Sequence, residues 1–428
     1  MLLGNQGTCL VGRDVRRESE MIQKAVISGL TAGGINVLDC GVVPTPATLV
    51  ALKKLQYQAA IMVTGSHVPA PATGMLFFLD DTGEMDSRGE EHVEVIFRSE
   101  QWKSAPRGED GSVNRLEILE LYQDEIRRQL GSLGKYRVVV DPGNGATCAT
   151  IGQILEDLGC EVTMINERPD GTFPSRPPYP HPSTLAQLAS AVRDAKADLG
   201  VGTDSDGDRA LFSTGNGQVL WGDITGALFI KNELETRGGG RIITTVNTSA
   251  LVHLLCQQYG GSLTITKVGP PAIAEALRDL KDVIFATEES GKHIWPRIIL
   301  YGDAVLATGK LLQIMKNSQR TLEELQSELP KFHQIKTTIP CAEQLKPLAF
   351  KLVLEMWKSP KGAQMSTIDG LKVTYSDLSW FLVRYSGTEP IFRCQSESRD
   401  LEEARKLHET AAGLVRNAIA KAESSQRL

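Results

Sequence analysis

The chain has 428 residues, 41% hydrophobic and 23% charged, with a formal net charge of −6. That length exceeds what one hydrophobic core serves and predicts three or four domains. The acidic balance argues against a nucleic-acid partner, no apolar run nears the roughly 20 residues that span a bilayer, and residues 1–5 lack the marks of a signal peptide. Seven scattered cysteines without a Cys-x-x-Cys pair suit reduced thiols, so the expected setting is the cytoplasm with no membrane partner.

Apolar spacing predicts a short strand at 9–11, a helix over 18–32, a strand over 35–43 and a helix over 46–55. A long helix is expected over 113–130, then a strand at 137–140, a helix over 150–158 and a strand at 198–201. After Gly238-Gly239-Gly240 comes a strand over 241–246, and beyond Pro330 the rhythm changes. Strand-like segments at 366–375, 379–384 and 391–396 cluster there, followed by a helix over 401–422. The fold class expected is three α/β domains with mixed or mostly parallel sheets plus a C-terminal α+β domain, around a central cleft. The boundaries expected are 1–134, 135–237, 238–332 and 333–428.

Four loops at the ends of apolar runs carry unusual chemistry, where open α/β sheets place ligands. Thr203-Asp204-Ser205-Asp206-Gly207-Asp208-Arg209 sets three carboxylates two residues apart across a glycine turn. Without His or Cys, such an all-oxygen set points to a hard cation such as Mg²⁺. A calcium EF-hand loop is excluded, because its required Gly and Glu positions hold Arg209 and Gly215. The others are Thr64-Gly65-Ser66-His67-Val68-Pro69, Glu288-Glu289-Ser290-Gly291-Lys292-His293 and Arg384-Tyr385-Ser386-Gly387-Thr388-Glu389-Pro390. Alone, each has a plainer reading: a solvated acidic turn, a Ser/Thr cap, a glutamate-rich helix start, a hairpin.

Together and in this order, the loops resemble the α-D-phosphohexomutases, the family of phosphoglucomutase and phosphomannomutase. Gly12-Arg13-Asp14, Val140-Asp141-Pro142-Gly143-Asn144-Gly145, Phe173-Pro174-Ser175-Arg176 and Lys267-Val268-Gly269 extend the resemblance over nearly the whole chain. The resemblance implies a mutase that interconverts hexose 1-phosphate and hexose 6-phosphate through a phosphoserine and a hexose bisphosphate, with glucose or mannose phosphates favoured over amino-sugar phosphates. It makes Ser66 the phosphoryl carrier, His67 an orienting group and Arg209 the nearby cation. Asp204, Asp206 and Asp208, with a Ser66 phosphate oxygen, would hold Mg²⁺. Arg13, Lys267, Gly269, Glu288, Ser290 and Lys292 would contact substrate. Arg384, Ser386, Gly387, Thr388 and Arg393 would grip the phosphate that stays in place. Hexose 1,6-bisphosphate would be the activator and a sugar phosphate the only expected partner. Oligomeric state is left open.

Two departures stand out. The family's first strand-helix unit, with its active-site arginine, is expected before Gly12, which leaves a shortened first domain with an open edge near Leu10 and Val11. The family often has Asn-Gly-x-Lys after the serine, where this chain has Thr73-Gly74-Met75-Leu76. Where a histidine follows Ser-Gly in many relatives, either Lys292 replaces it or His293 reaches in. The alternative from another class is a degenerate, low-activity sugar-phosphate-binding homologue acting as a scaffold or regulator. A Mg²⁺-dependent phosphatase is disfavoured, because no Asp-x-Asp-x-Thr occurs around Asp204.

Overall fold

The structure is a computed structural model that describes residues 7–387 and 389–426. Four sheets follow one another along the chain. The first runs, in spatial order, Gly74–Leu79, Ala59–Thr64, Thr8–Arg13, Asn36–Val42 and Val113–Arg115. The second runs Glu161–Met164, Arg137–Asp141, Leu199–Thr203 and Ala210–Thr214. The third runs Gly261–Thr266, Gly240–Thr245, Val283–Thr287 and His293–Ile294.

These three sheets share one plan. Three strands pair in parallel, with helices between them, and the third then folds back antiparallel; the first sheet adds Val113–Arg115 as a fourth parallel strand. Parallel strands need a crossover, and the amphipathic helices Arg17–Ala32, Ile151–Asp157 and Ala250–Gln258 supply it. The turn of each terminal hairpin therefore sits at the C-terminal end of a buried parallel strand. Those turns hold the serine, aspartate and glutamate loops. The fourth sheet, His333–Pro340, Ile391–Ser398, Trp380–Tyr385, Leu371–Thr374 and Gln364–Ser366, is antiparallel throughout and backed by Leu401–Gln426. Its Trp380–Tyr385/Ile391–Ser398 turn is the fourth loop.

One continuous apolar core joins the first three sheets, from Leu10 and Leu52 through Ile154 and Phe229 to Leu312. The fourth has its own, around Val353, Phe381, Phe392 and Val415. No helix among the described residues is long and apolar enough to cross a membrane.

Three expectations are corrected. The segment 113–130 is not one helix: Val113–Arg115 pairs with Asn36–Val42, and the helix is Leu119–Leu130. The β-branched Val113 and the free edge of Asn36–Val42 outweigh the helical pattern there. The segment 366–375 is two strands, because Asp369-Gly370 turns the chain, with Gly370 at φ +92. Leu10 and Val11 lie at no exposed edge: Thr8–Arg13 is the central strand of its sheet, and both side chains are fully buried.

Candidate active site

Ser66 sits at φ +44, a left-handed conformation costly for a residue with a Cβ. What holds it there is Arg16, whose side chain is fully buried. One Nη atom donates to the carbonyls of Pro69, Ala70 and Ala72, and the other to Ser66 and Val68. Its Nε pairs with Asp14 Oδ2 at 3.0 Å. That Asp14 oxygen also accepts from Thr64 Oγ1 at 2.8 Å and from the Gly65 N–H at 3.3 Å. Ser205 Oγ donates to the Ser66 carbonyl at 2.7 Å, which ties the serine loop to the aspartate loop of the second sheet.

The two loops meet at their reactive ends. Ser66 Oγ lies 3.2 Å from Asp204 Oδ2 and 3.5 Å from an Arg209 Nη atom. Gly207, at φ +79, makes the turn, and a Cβ there would strike Thr147 Cγ2 at 2.4 Å. The turn aims the N–H groups of Gly207, Asp208 and Arg209 at Asp204 Oδ1. Asp206 Oδ2 accepts from Thr45 Oγ1 at 2.6 Å, a link back to the first sheet's helix Thr45–Leu55. Arg176 braces the start of the loop by donating to Asp141 and to the Thr203 carbonyl.

All three carboxylates are buried, with one ligand atom of each within 4.8 Å of the others. Asp206 Oδ1 and Asp208 Oδ1 have no hydrogen-bond partner among the described residues. Burial, then repulsion from Asp208 and Asp206, pushes Asp204 far up. Burial and Asp208 push Asp206 up to about 7. At Asp208 burial acts upward too, but Lys292 and Arg209 outweigh it and hold the group down. Orphaned oxygens, mutual repulsion and an all-oxygen set fit a divalent hard cation such as Mg²⁺.

His67 lies beside Ser66, with Nδ1 3.5 Å from Oγ. The Arg209 charge, then burial, lowers its pKa and favours the neutral ring. A chain of ring contacts leads on through Tyr179 and His181 to Trp221, over which the Lys336 ammonium stands at 4.3 Å. Ser66, His67, Leu76, Arg209 and Lys292 line a cleft of about 330 Å³.

In the third sheet's loop, Glu288 is buried and accepts the Gly269 N–H at 3.2 Å, while the buried Ser290 Oγ has no hydrogen-bond partner among the described residues. Lys267 is exposed. Lys292 does not face open solvent: it is fully buried against Asp208. His293 does not reach in; it lies in the core between Phe229 and Phe285. Arg13 turns to Glu20, 3.8 Å away on helix Arg17–Ala32, and is not part of the cleft lining.

In the fourth loop, Arg384 pairs with Asp369 at 3.2 Å, and Asp369 also accepts the Val268 N–H of the third domain. Arg393 pairs with Glu389 at 2.6 Å. Ser386 is buried, Gly387 is exposed, and Thr388 lies outside the described residues. Buried Lys346, donating to the carbonyls of Ser386 and Glu389, fixes the loop. An anion bound here would take over donors that Asp369 and Glu389 now hold. The Arg393 charge reaches His67 and Tyr179.

Sequence reasoning missed Arg16, Asp14 as a hub, Glu289 and Lys346. Glu289 joins Asn247, Lys336 and Gln395. The signal for Arg16 was an Asp-x-Arg directly after a strand, which placed the emphasis on Arg13 instead.

Sequence profiles of phosphoglucomutase/phosphomannomutase match in order: α/β/α domain I at 2–104, domain II at 120–217, domain III at 221–332 and the C-terminal domain at 337–414. The chain is 36% identical over 414 residues to a phosphoglucomutase/phosphomannomutase of Thermococcus kodakarensis, covering 96% of this chain and 90% of that one. It is 33% identical over 417 residues to a probable phosphoglucosamine mutase of Methanopyrus kandleri, covering 96% and 91%. A solved phosphoglucomutase/phosphomannomutase family protein of Burkholderia thailandensis superposes with a TM-score of 0.86 at 24% identity, over 97% of this chain and 90% of that one. The chain belongs to the phosphoglucomutase/phosphomannomutase family and is a phosphohexomutase.

Proposed function

We propose that the protein moves a phosphoryl group between the 1- and 6-positions of glucose or mannose phosphates, with Ser66 as the carrier. The observation that carries this is Ser66 Oγ, held in a strained conformation 3.2 Å from Asp204 Oδ2 in a cleft with Arg209. Asp204, Asp206 and Asp208 would hold Mg²⁺, and the ion when bound neutralises charge on the transferring phosphoryl group. Arg209 offsets the excess anion beside it. Neutral His67 orients the Ser66 substituent. Glu288 and Ser290 take sugar hydroxyls, and Arg384, Ser386 and Arg393 clasp the phosphate that stays. A hexose 1,6-bisphosphate loads Ser66 and so acts as activator.

A coupled mutase assay with a trace of hexose bisphosphate tests the reading, run on glucose, mannose and glucosamine 1-phosphates. Turnover of a hexose phosphate that disappears in Ser66→Ala is expected. Sugar-phosphate binding without turnover on any of the three would favour the degenerate homologue, and turnover of glucosamine phosphate alone would move the substrate class to amino sugars.

A further inference from the structure

Lys292 brings a charged side chain of the third domain onto the aspartate loop. Its stem passes Gly302, where a Cβ would lie 2.6 Å from Lys292 Cγ, so no larger residue leaves it room. Its ammonium stands 3.8 Å from the centre of the Tyr301 ring and 2.7 Å from Asp208 Oδ2. No solvent reaches the side chain. Its charge acts on the acidic groups of Asp208 and Asp206, and on Glu84, which burial pushes up to about 8. The same cleft is lined by Leu76, so its wall carries no cation at that position, and the ammonium arrives from another domain.

We propose that Lys292 is a built-in counter-cation of the aspartate loop, which keeps the metal-free site folded and weakens its affinity for the divalent ion. The proposal rests on the reading of Asp204, Asp206 and Asp208 as metal ligands. Without Lys292, buried Asp208 would keep only Arg209, 3.8 Å away, as its counter-ion, and a poorly compensated buried carboxylate is costly to fold. A fixed ammonium paired with Asp208 would oppose a divalent ion held by that carboxylate, in a medium where charges are poorly screened. The first effect makes the protein independent of metal for its fold. The second makes the ion exchangeable and the site responsive to its concentration.

The test compares full-length wild type, Lys292→Met and Lys292→Arg by Mg²⁺ calorimetry and by melting with and without Mg²⁺. Lys292→Met is expected to bind Mg²⁺ at least tenfold more tightly, melt lower without metal and gain more from Mg²⁺ than wild type. Lys292→Arg keeps the charge and is expected to stay within about threefold of wild type. Equal affinity in all three proteins overturns the proposal but leaves the metal reading intact. No Mg²⁺ binding by any of them overturns the metal reading, and this proposal with it. If Lys292→Met does not fold, production in saturating Mg²⁺ decides: rescue by metal supports the charge role, and misfolding in both conditions overturns it.

Discussion

Ser66 Oγ and Asp204 Oδ2 stand 3.2 Å apart although they lie 138 positions apart in the chain and on different sheets. Each lies in the turn of a terminal hairpin; Ser205 ties the two turns together, and Thr45 ties the aspartate turn to helix Thr45–Leu55. Ser66 makes this contact from a left-handed backbone that serine does not prefer.

That strain is measurable. At φ +44 a Cβ is penalised and glycine is not. Ser66→Gly is expected to be about 1 kcal/mol more stable than Ser66→Ala in urea unfolding, with turnover lost in both. Equal stabilities would mean the loop relaxes once the hydroxyl is gone.

Arg16 is the clasp that enforces this geometry. Arg16→Met takes the guanidinium from five carbonyls, of which those of Ser66 and Pro69 keep a second donor, and leaves buried Asp14 without its ion pair. A loss of about 3–5 kcal/mol in unfolding free energy is expected, the cost of breaking a buried pair from one side. A change under 1 kcal/mol would show that the serine loop holds itself.

Much of this site was legible because its chemistry is local. Three aspartates two residues apart, or Arg-x-Ser-Gly-Thr after an apolar run, announce anion or cation binding wherever they fold. Clasps such as Arg16 to Val68, or Lys346 to Ser386, were not legible, since a buried cation bonding to carbonyls depends on long-range packing that leaves no spacing. That Lys292 packs on Asp208 and Arg13 turns to Glu20 was not legible for the same reason: direction in space, unlike residue type, is set by packing. Among the elements, 113–130 misled because a three-residue edge strand carries too little pattern against a helix beside it.

His293 carries a pH dependence of its own. Burial pushes its folded pKa down to about 3, against about 6.5 in an unfolded chain. The folded state thus binds fewer protons, and stability is full above pH 6.5 and lost as pH falls below it. About 2 kcal/mol should be gone by pH 5 from this residue. In a comparison of unfolding free energies at pH 7.5 and 5, His293→Gln should lose that much less than wild type. Parallel pH profiles would contradict the assignment.

Arg384 should act on phosphate and not on metal. Replacing it with Ala removes a guanidinium now parked on Asp369. Sugar-phosphate binding should weaken by about 1.5–3 kcal/mol in calorimetry, with Mg²⁺ affinity unchanged. Equal losses for both ligands would mean that Arg384 serves the domain interface instead.

The most direct test of phosphoryl transfer through Ser66 is peptide mass spectrometry after incubation with Mg²⁺ and glucose 1,6-bisphosphate. Phosphate on the peptide at Ser66, absent when the aspartates are replaced by Asp204→Asn and Asp208→Asn, is the predicted result. Phosphate found only on another residue, or turnover without any phosphate ever on Ser66, would contradict it.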